Sequence, residues 1–502
     1  MQFTYRNGIL KKYSILTLVL SMTCISMNGQ GNGEAHRPLI HFTPETGWMN
    51  DPNGLIYYDG YYHMFYQYYP DSTVWGPMHW GHAQSLDLMT WERQPIALYP
   101  DSLGWIFSGS AVIDVHNTAG FGNNAMVAIF TYHNDAIWQS GNKNTESQGL
   151  AYSTDKGATW KKYVGNPVLN NTGEQDFRDP KVFWNSSIRK WNMVLAVGDH
   201  IRIFSSSDLK KWTFESDFKP EEDEEVGVWE CPDLFQMAVA GSSDKKWVML
   251  MSQGYNEKDN KQSGTRYFVG DFDGHTFKNT QQAQWIDVGS DFYAAATYAN
   301  APGNKRILQA WMSNWMYALE VPATRWRSTM TLPRELALIK DKYVYAITQQ
   351  WATQIINNQS EIYSKPESSD VELSGNVIPH CRITLDLEEN NTTSIQLSNN
   401  ENEVFTILID GTTITTTRDV YRDEDAIYPF ITETAASLPG ERITKLDMIF
   451  DVGSCEILVN DGKLSMTTIY FPTSNFDKLS INPMDGGILR NVTIYGITPT
   501  MW

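Results

Sequence analysis

The sequence predicts an all-β protein in two parts, a β-propeller followed by a β-sandwich. Three observations carry that reading. A turn motif closed by an aromatic residue recurs along the first part of the chain. The composition, with 18 Trp, 25 Tyr and 35 Gly, is that of a turn-rich, aromatic-rich β protein. After Leu336 the texture changes: Trp becomes rare, and Asn, Thr, Ser and Ile rise. A chain of 502 residues is too long for one ordinary core, which agrees with two domains.

The chain opens with an expected export signal, residues 1–30. Arg6, Lys11 and Lys12 precede an apolar run, 15–27, too short to span a membrane comfortably. A Gly-rich stretch follows at 28–33, where cleavage is expected. Ser21-Met22-Thr23-Cys24 offers an alternative, a lipobox with Cys24 lipidated, although Leu20 sits one place early and Thr23 replaces the usual Gly or Ala. The expectation is therefore an exported protein: secreted, periplasmic or lipid-anchored at Cys24.

The propeller part is expected over 38–340. Ser85-Leu86-Asp87-Leu88-Met89-Thr90-Trp91 recurs as Ser153-Thr154-Asp155-Lys156-Gly157-Ala158-Thr159-Trp160. It recurs again as Ser207-Asp208-Leu209-Lys210-Lys211-Trp212, and more loosely over Asp271 to Phe277. Intervals of 69, 52 and 65 residues suit a four-stranded unit with loops. Each copy reads as an outer hairpin turn capped by an aromatic. A linker is expected over 341–360. The sandwich, 361–502, shows alternating stretches such as Arg382–Leu387 and strand-then-turn patterns at Val404–Gly411 and Cys455–Gly462. It carries no catalytic constellation.

Three acids stand out on the propeller part. Asp51 lies in Trp48-Met49-Asn50-Asp51-Pro52-Asn53-Gly54. Pro52 biases Asp51 towards extended geometry, and Asn53-Gly54 supplies a tight turn. A stiff, aromatic-flanked carboxylate suits nucleophilic catalysis on a sugar. Asp179 lies in Arg178-Asp179-Pro180-Lys181, where Arg178 is expected to hold it ionised. Glu230 lies in Trp229-Glu230-Cys231-Pro232-Asp233-Leu234, where burial is expected to raise its pKa. One acid kept charged and another kept protonated is the division of labour that glycosidic cleavage demands.

Together these motifs resemble glycoside hydrolase family 32, the β-fructofuranosidases. Other pieces with the family look stand between and after them: 65–70, 78–82, 107–112, 291–294, 311–315 and 331–336. The resemblance implies five blades. It implies that Asp51 is the nucleophile, Glu230 the acid/base and Asp179 the transition-state stabiliser. It further implies a fructose pocket lined by Asn50, Gln67, Trp75, Phe107, Ser108, Arg178 and Trp315, with Tyr293 either in the pocket or in the core. Tyr69 departs from the family, whose members often carry Asn there. The activity implied is retaining hydrolysis of β-D-fructofuranosidic bonds, releasing terminal fructose from levan, inulin or sucrose. Endo action and fructosyl transfer share the nucleophile and stay open at this stage.

Net charge is −19, and the first 30 residues hold three bases and no acid, so without them the acid excess is 22. That argues against nucleic acid and anionic membrane as partners. A fructan or sucrose is the expected partner, with no obligate protein partner evident. The run Glu221–Glu225 reads as a solvated loop. No Cys/His cluster has zinc spacing and no phosphate loop is evident, so neither metal nor cofactor is expected. Cys24, Cys231, Cys381 and Cys455 are too few and scattered for a disulfide framework, and Cys381 and Cys455 are expected as buried thiols.

Overall fold

Short strands rich in aromatic and β-branched residues, punctuated by Gly, Asn and Asp, build almost all of the regular structure among the described residues. The computed structural model describes residues 34, 36–220, 227–254, 263–322, 325–375, 378–388, 392–420, 430–438 and 440–500. The expected export signal with Cys24, and the run Glu221–Glu225, lie outside the described residues.

Five antiparallel sheets follow one another. Blade I pairs Gly47–Tyr58, Tyr61–Tyr69, His79–Ser85 and Trp91–Leu98 in order. Blade II pairs Trp105–Asp114, Ala125–His133, Glu146–Ser153 and Lys161–Lys162. Blade III runs from Phe177–Asn185 to Thr213–Phe218, and blade IV from Trp229–Ala238 to Phe277–Asn279. Blade V joins Tyr293–Thr297, Arg306–Met312, Arg334–Asp341 and Val344–Trp351. The expected linker therefore begins with the outer strand of blade V. Ile347, Gln349 and Trp351 alternate inward there, a period-2 pattern that buries one face.

The first strand of each blade lies innermost. Side chains and short backbone links stitch these inner strands together. Gly109 N donates to Asn53 Oδ1 (3.2 Å), and Ser110 Oγ donates to Pro180 O (2.8 Å). Lys181 Nζ donates to Asp233 Oδ2 and to Thr297 O, both at 2.9 Å. The ring closes where Gly47 and Trp48 pair in parallel with Trp326 and Arg327, and where Ala299 N donates to Leu55 O (2.9 Å).

The recurring motif is the turn between third and fourth strands. Asp87, Asp155, Asp208 and Asp273 each accept backbone N–H groups from residues two to four positions on, at 2.7–2.9 Å. The residue after each Asp is left-handed: Leu88, Lys156, Leu209 and Gly274. The Asp-fixed turn thus holds a strained conformation in three non-glycine residues. Trp160 and Trp212 cap their turns by donating to Gly157 O and Leu209 O, both at 3.1 Å. In the third copy the Ser that joins the turn is Ser206 rather than Ser207; its Oγ accepts from Asp208 N at 3.2 Å.

The second part is a sandwich of two six-stranded antiparallel sheets. Cys381–Leu387 alternates buried and half-buried, as its sequence predicts. Val404–Asp410 turns at Gly411, and Ser454–Val459 turns through Asn460, Asp461 and Gly462, all with positive φ. Cys381 and Cys455 are buried free thiols, and that of Cys381 donates to Ile378 O (3.3 Å). Ser454–Val459 and Leu464–Ile469 are buried on both faces. Cys455, Ile457 and Val459 enter the sandwich core, while Leu458 packs with Trp351 and Ile355 of the preceding part. Glu456 faces the same seam and meets Arg334, where Nε donates to Oε2 at 3.1 Å.

Candidate active site

All five inner strands lose register at the same place. The ladder skips Asn50-Asp51, Phe107-Ser108, Asp179-Pro180, Cys231-Pro232 and Ala294-Ala295. Pro52, Pro180 and Pro232 have no N–H to give the ladder, so an acid or thiol just before each is released from pairing. A bulge of this kind re-aims side chains. Asp179, Cys231 and Ala294 share a left-handed backbone, with φ of 65°, 47° and 53°. Asn50, Phe107, Asp179, Cys231 and Ala294 come first in the five skips, and Asp51, Ser108, Pro180, Pro232 and Ala295 come second. Arg178, Glu230 and Tyr293 are the paired residues just before the skip in their blades.

The side chains at and beside the skips form two sets of hydrogen bonds. In the first, Asp51 Oδ2 accepts from Ser108 Oγ (2.6 Å), and the Cys231 thiol lies 3.4 Å from it. Asp179 Oδ2 accepts from Cys231 N (3.0 Å), with the same thiol at 3.6 Å. Asp51 Oδ1 also accepts from Asn50 Nδ2 (3.0 Å), and Asn50 is itself fixed by Trp48 Nε1 (2.8 Å). In the second set, Arg178 Nε and Nη2 donate to Glu230 Oε1 at 3.1 and 3.0 Å. Tyr293 OH donates to Glu230 Oε2 at 2.6 Å.

Arg178 is therefore not the partner of Asp179 that its sequence neighbourhood suggests. Adjacent residues on a strand point to opposite sides. Arg178 reaches Glu230, Asp176 (2.7 Å) and Glu146 (3.1 Å) instead. The Asp179 carboxyl is pushed up by burial, which outweighs the nearby Arg178, and the charges on Glu230 and Asp51 add to the shift. Asp51 is also raised, by burial first and then by the Glu230 charge; the bonds from Ser108 and Asn50 oppose this. Burial, then the charges on Asp179 and Asp51, push the Cys231 thiol well up. It sits there as a neutral S–H group.

The acids open into a cavity of about 560 Å³. Asn50, Asp51, Gln67, Trp75, Phe107, Ser108, Arg178, Asp179, Glu230 and Trp315 all line it. Gln67 is oriented by donating to Ile106 O (3.0 Å), and Trp315 stacks on Trp48 with centroids 5.9 Å apart. Tyr293 does not line the cavity; it is buried and bonds Glu230, which does. Tyr69 packs in the same hydrophobic cluster as Trp75 and Trp315.

Sequence reasoning missed four groups here. Cys231 was legible only as a neighbour of Glu230, because its approach to Asp51 and Asp179 joins residues far apart in the chain. Glu146 carries no motif, yet it accepts from Phe177 N (2.6 Å) and Arg178, positioning that arginine. Asp176 and the segment from His133 to Thr145 also reach the cavity. The signal for the last is an exposed Trp, Trp138, beside Gly141-Asn142. Among the described residues, no group of three or more His, Cys, Asp or Glu is placed to hold a metal ion.

Buried acids converging at the end of a five-bladed propeller define a glycosidase. The chain matches the description "Glycosyl hydrolases family 32 N-terminal domain" over residues 41–349, and "Glycosyl hydrolases family 32 C terminal" over 346–496. It belongs to glycosyl hydrolase family 32. It is 40% identical to the levanase of Bacillus subtilis over 529 aligned residues, which cover 97% of this chain and 75% of that one. It is 40% identical to an extracellular exo-inulinase of Aspergillus niger over 378 residues, 68% of this chain and 70% of the relative. Among solved structures, the exo-inulinase of Aspergillus awamori superposes with a TM-score of 0.81 at 32% identity, covering 94% and 100% of the two chains. The fructofuranosidase of Schwanniomyces occidentalis, complexed with fructose, gives 0.82 at 30% identity, covering 93% and 99%.

Proposed function

We propose that the protein is an exported, exo-acting β-fructosidase that hydrolyses terminal fructose from fructans, levan foremost, with retention. Asp51 attacks the anomeric carbon of the fructosyl unit and Glu230 gives a proton to the leaving oxygen, leaving a fructosyl ester on Asp51. Glu230 then takes a proton from water, which attacks the same carbon and frees both fructose and Asp51. Asp179 holds ring hydroxyls through both steps.

One observation carries this reading: Asp51 is fixed from two sides by Ser108 and Asn50 while facing the charge of Glu230 across one cavity. A nucleophile held in one rotamer needs no reorganisation to attack. Glu230 is held equally firmly, between Arg178 and Tyr293. Levan comes from the levanase relative, which aligns along nearly the whole chain. Exo action fits the relatives named exo-inulinase. Export fits the word "extracellular" in those names and the basic, then apolar, N-terminal sequence.

The experiment is product analysis on levan, inulin and sucrose side by side. Free fructose alone supports the reading; a ladder of oligosaccharides from levan or inulin overturns exo action. Growth of longer oligomers in concentrated sucrose, at the expense of free fructose, overturns hydrolysis in favour of transfer.

A further inference from the structure

The segment between Ala125–His133 and Glu146–Ser153 forms one wall of the cavity mouth. It contains a short helix, Asp135–Gln139, none of whose residues is buried. The helix is held by its ends: Ile137 N donates to Asn134 Oδ1 (3.1 Å), and Ser140 Oγ donates to Ile137 O (2.6 Å). Trp138 lines the cavity yet is 56% exposed. A single exposed apolar residue is ordinary, and alone it means nothing.

Two further observations give it meaning. Aromatic rings run without a break from the pocket to Trp138. Trp75 meets Phe107 edge-on at 5.9 Å, Phe107 stacks on His133 at 4.3 Å and 8°, and His133 lies 6.3 Å from Trp138. The second observation is His133 itself. It lines the cavity and is only 5% exposed, and its Nε2 makes no hydrogen bond. The other ring nitrogen, Nδ1, faces Glu146 Oε1 at 3.5 Å. Buried polar atoms without partners are rare, and a ring at a cavity wall can find one in a ligand hydroxyl.

We propose that His133 and Trp138 form an outer sugar subsite on the leaving-group side of the scissile bond. His133 bonds a hydroxyl of the leaving chain, and the Trp138 indole stacks on the apolar face of a sugar unit that sucrose does not have. This subsite tunes the enzyme towards chains over the disaccharide, and it rests on the fructosidase reading above. An indole is suited to the task because a sugar ring presents an apolar C–H face to it, while the ring edge stays free for water.

The test compares Trp138→Ala and Trp138→Phe with the wild type on levan and on sucrose, separating kcat from KM. In Trp138→Ala the ratio of kcat/KM on levan to that on sucrose should fall about ten-fold, mainly through KM. Trp138→Phe should restore most of it. In an Asp51→Asn background, a levan oligosaccharide should bind about ten-fold more weakly once Trp138 is Ala, as read by calorimetry. A ratio that stays within about two-fold of wild type, with equal binding in the inactive background, overturns the subsite. Failure of the wild type to release fructose from either substrate would instead strike the function itself.

Discussion

The cavity and the seam between propeller and sandwich are both clusters of buried acids, and they are balanced in opposite ways. In the seam every named carboxylate has a cation. Arg334, fully buried, donates to Asp287 (2.8 Å), Glu456, Gln349 (3.1 Å) and Thr467 (2.6 Å). His41 bridges Asp451 (2.7 Å) and Glu456 (2.8 Å), and Arg418 binds Asp291 (2.9 Å) and Tyr317 (2.9 Å). In the cavity, Arg178 serves Glu230, Glu146 and Asp176. Asp51 and Asp179 have no ion-pair partner among the described residues. Their carboxyls are pushed up, whereas that of Glu456 is held down: burial opposes this, but Arg334 and His41 outweigh it. Charge is compensated where the protein only has to hold together. It is left short of partners at Asp51 and Asp179, where the proposed reaction takes place.

Substitution of the cavity acids breaks the comparison most sharply. Asp51→Asn should lower fructose release by at least about 10³-fold, because an amide cannot form the fructosyl ester. The same change removes a charge the fold disfavours, so its unfolding midpoint should stay level or rise; a fall on a thermal scan would contradict the electrostatic reading. Glu230→Gln should abolish turnover of levan and sucrose yet spare much of it on a fructoside with an activated leaving group, which needs no proton. Equal losses on both substrates would remove Glu230 from the acid role.

In the seam the direction reverses. Arg334→Met leaves Asp287 and Glu456 buried with one cation fewer, a change worth about 3–5 kcal/mol in comparable sites. The unfolding midpoint should drop steeply while the kcat of the folded enzyme changes little. A midpoint close to wild type would mean that the seam is dispensable.

The smallest effect is the pH dependence of stability. The His41 ring loses stability to burial, but Asp451 and Glu456 outweigh that and raise its pKa to about 9 from 6.5. A raised folded-state value means that the stabilisation is complete below pH 6.5 and is lost as pH rises through 9. Linkage puts this contribution at about 3 kcal/mol. The midpoint should therefore fall from pH 6.5 to pH 9, and His41→Gln, already less stable, should show a flatter slope.

Much of this was legible in the sequence, for a local reason. A proline after or near each acid records the bulge that frees it, and Asp followed by a closing aromatic records the outer turns. Strand-then-turn stretches such as Val404–Gly411 mark the sandwich. What the sequence hid depends on register or on partners far along the chain. Arg178 lies next to Asp179 in sequence yet pairs with Glu230, because neighbours on a strand face apart. Cys231 holds in its blade the skipped position that Asp179 holds in the blade before, which only the ladder reveals. Ser206, not Ser207, joins the third turn, a one-residue shift that changes which face a side chain meets. Residues 344–351 look like linker until Arg334–Asp341 pairs with them. The seam charges come from His41, Asp287, Asp291, Arg334, Arg418, Asp451 and Glu456, and no local pattern connects them.

The central claim is that Asp51 is the group left under-compensated in order to bond the sugar. It is tested most directly by trapping. A Glu230→Gln variant, quenched during turnover of an activated fructoside, is digested and its peptides weighed. The account predicts a fructosyl increment on the peptide carrying Asp51, located on that carboxylate by fragmentation. A fructosyl group on another residue, or turnover with no adduct and an inverted anomer in the first product, would contradict it.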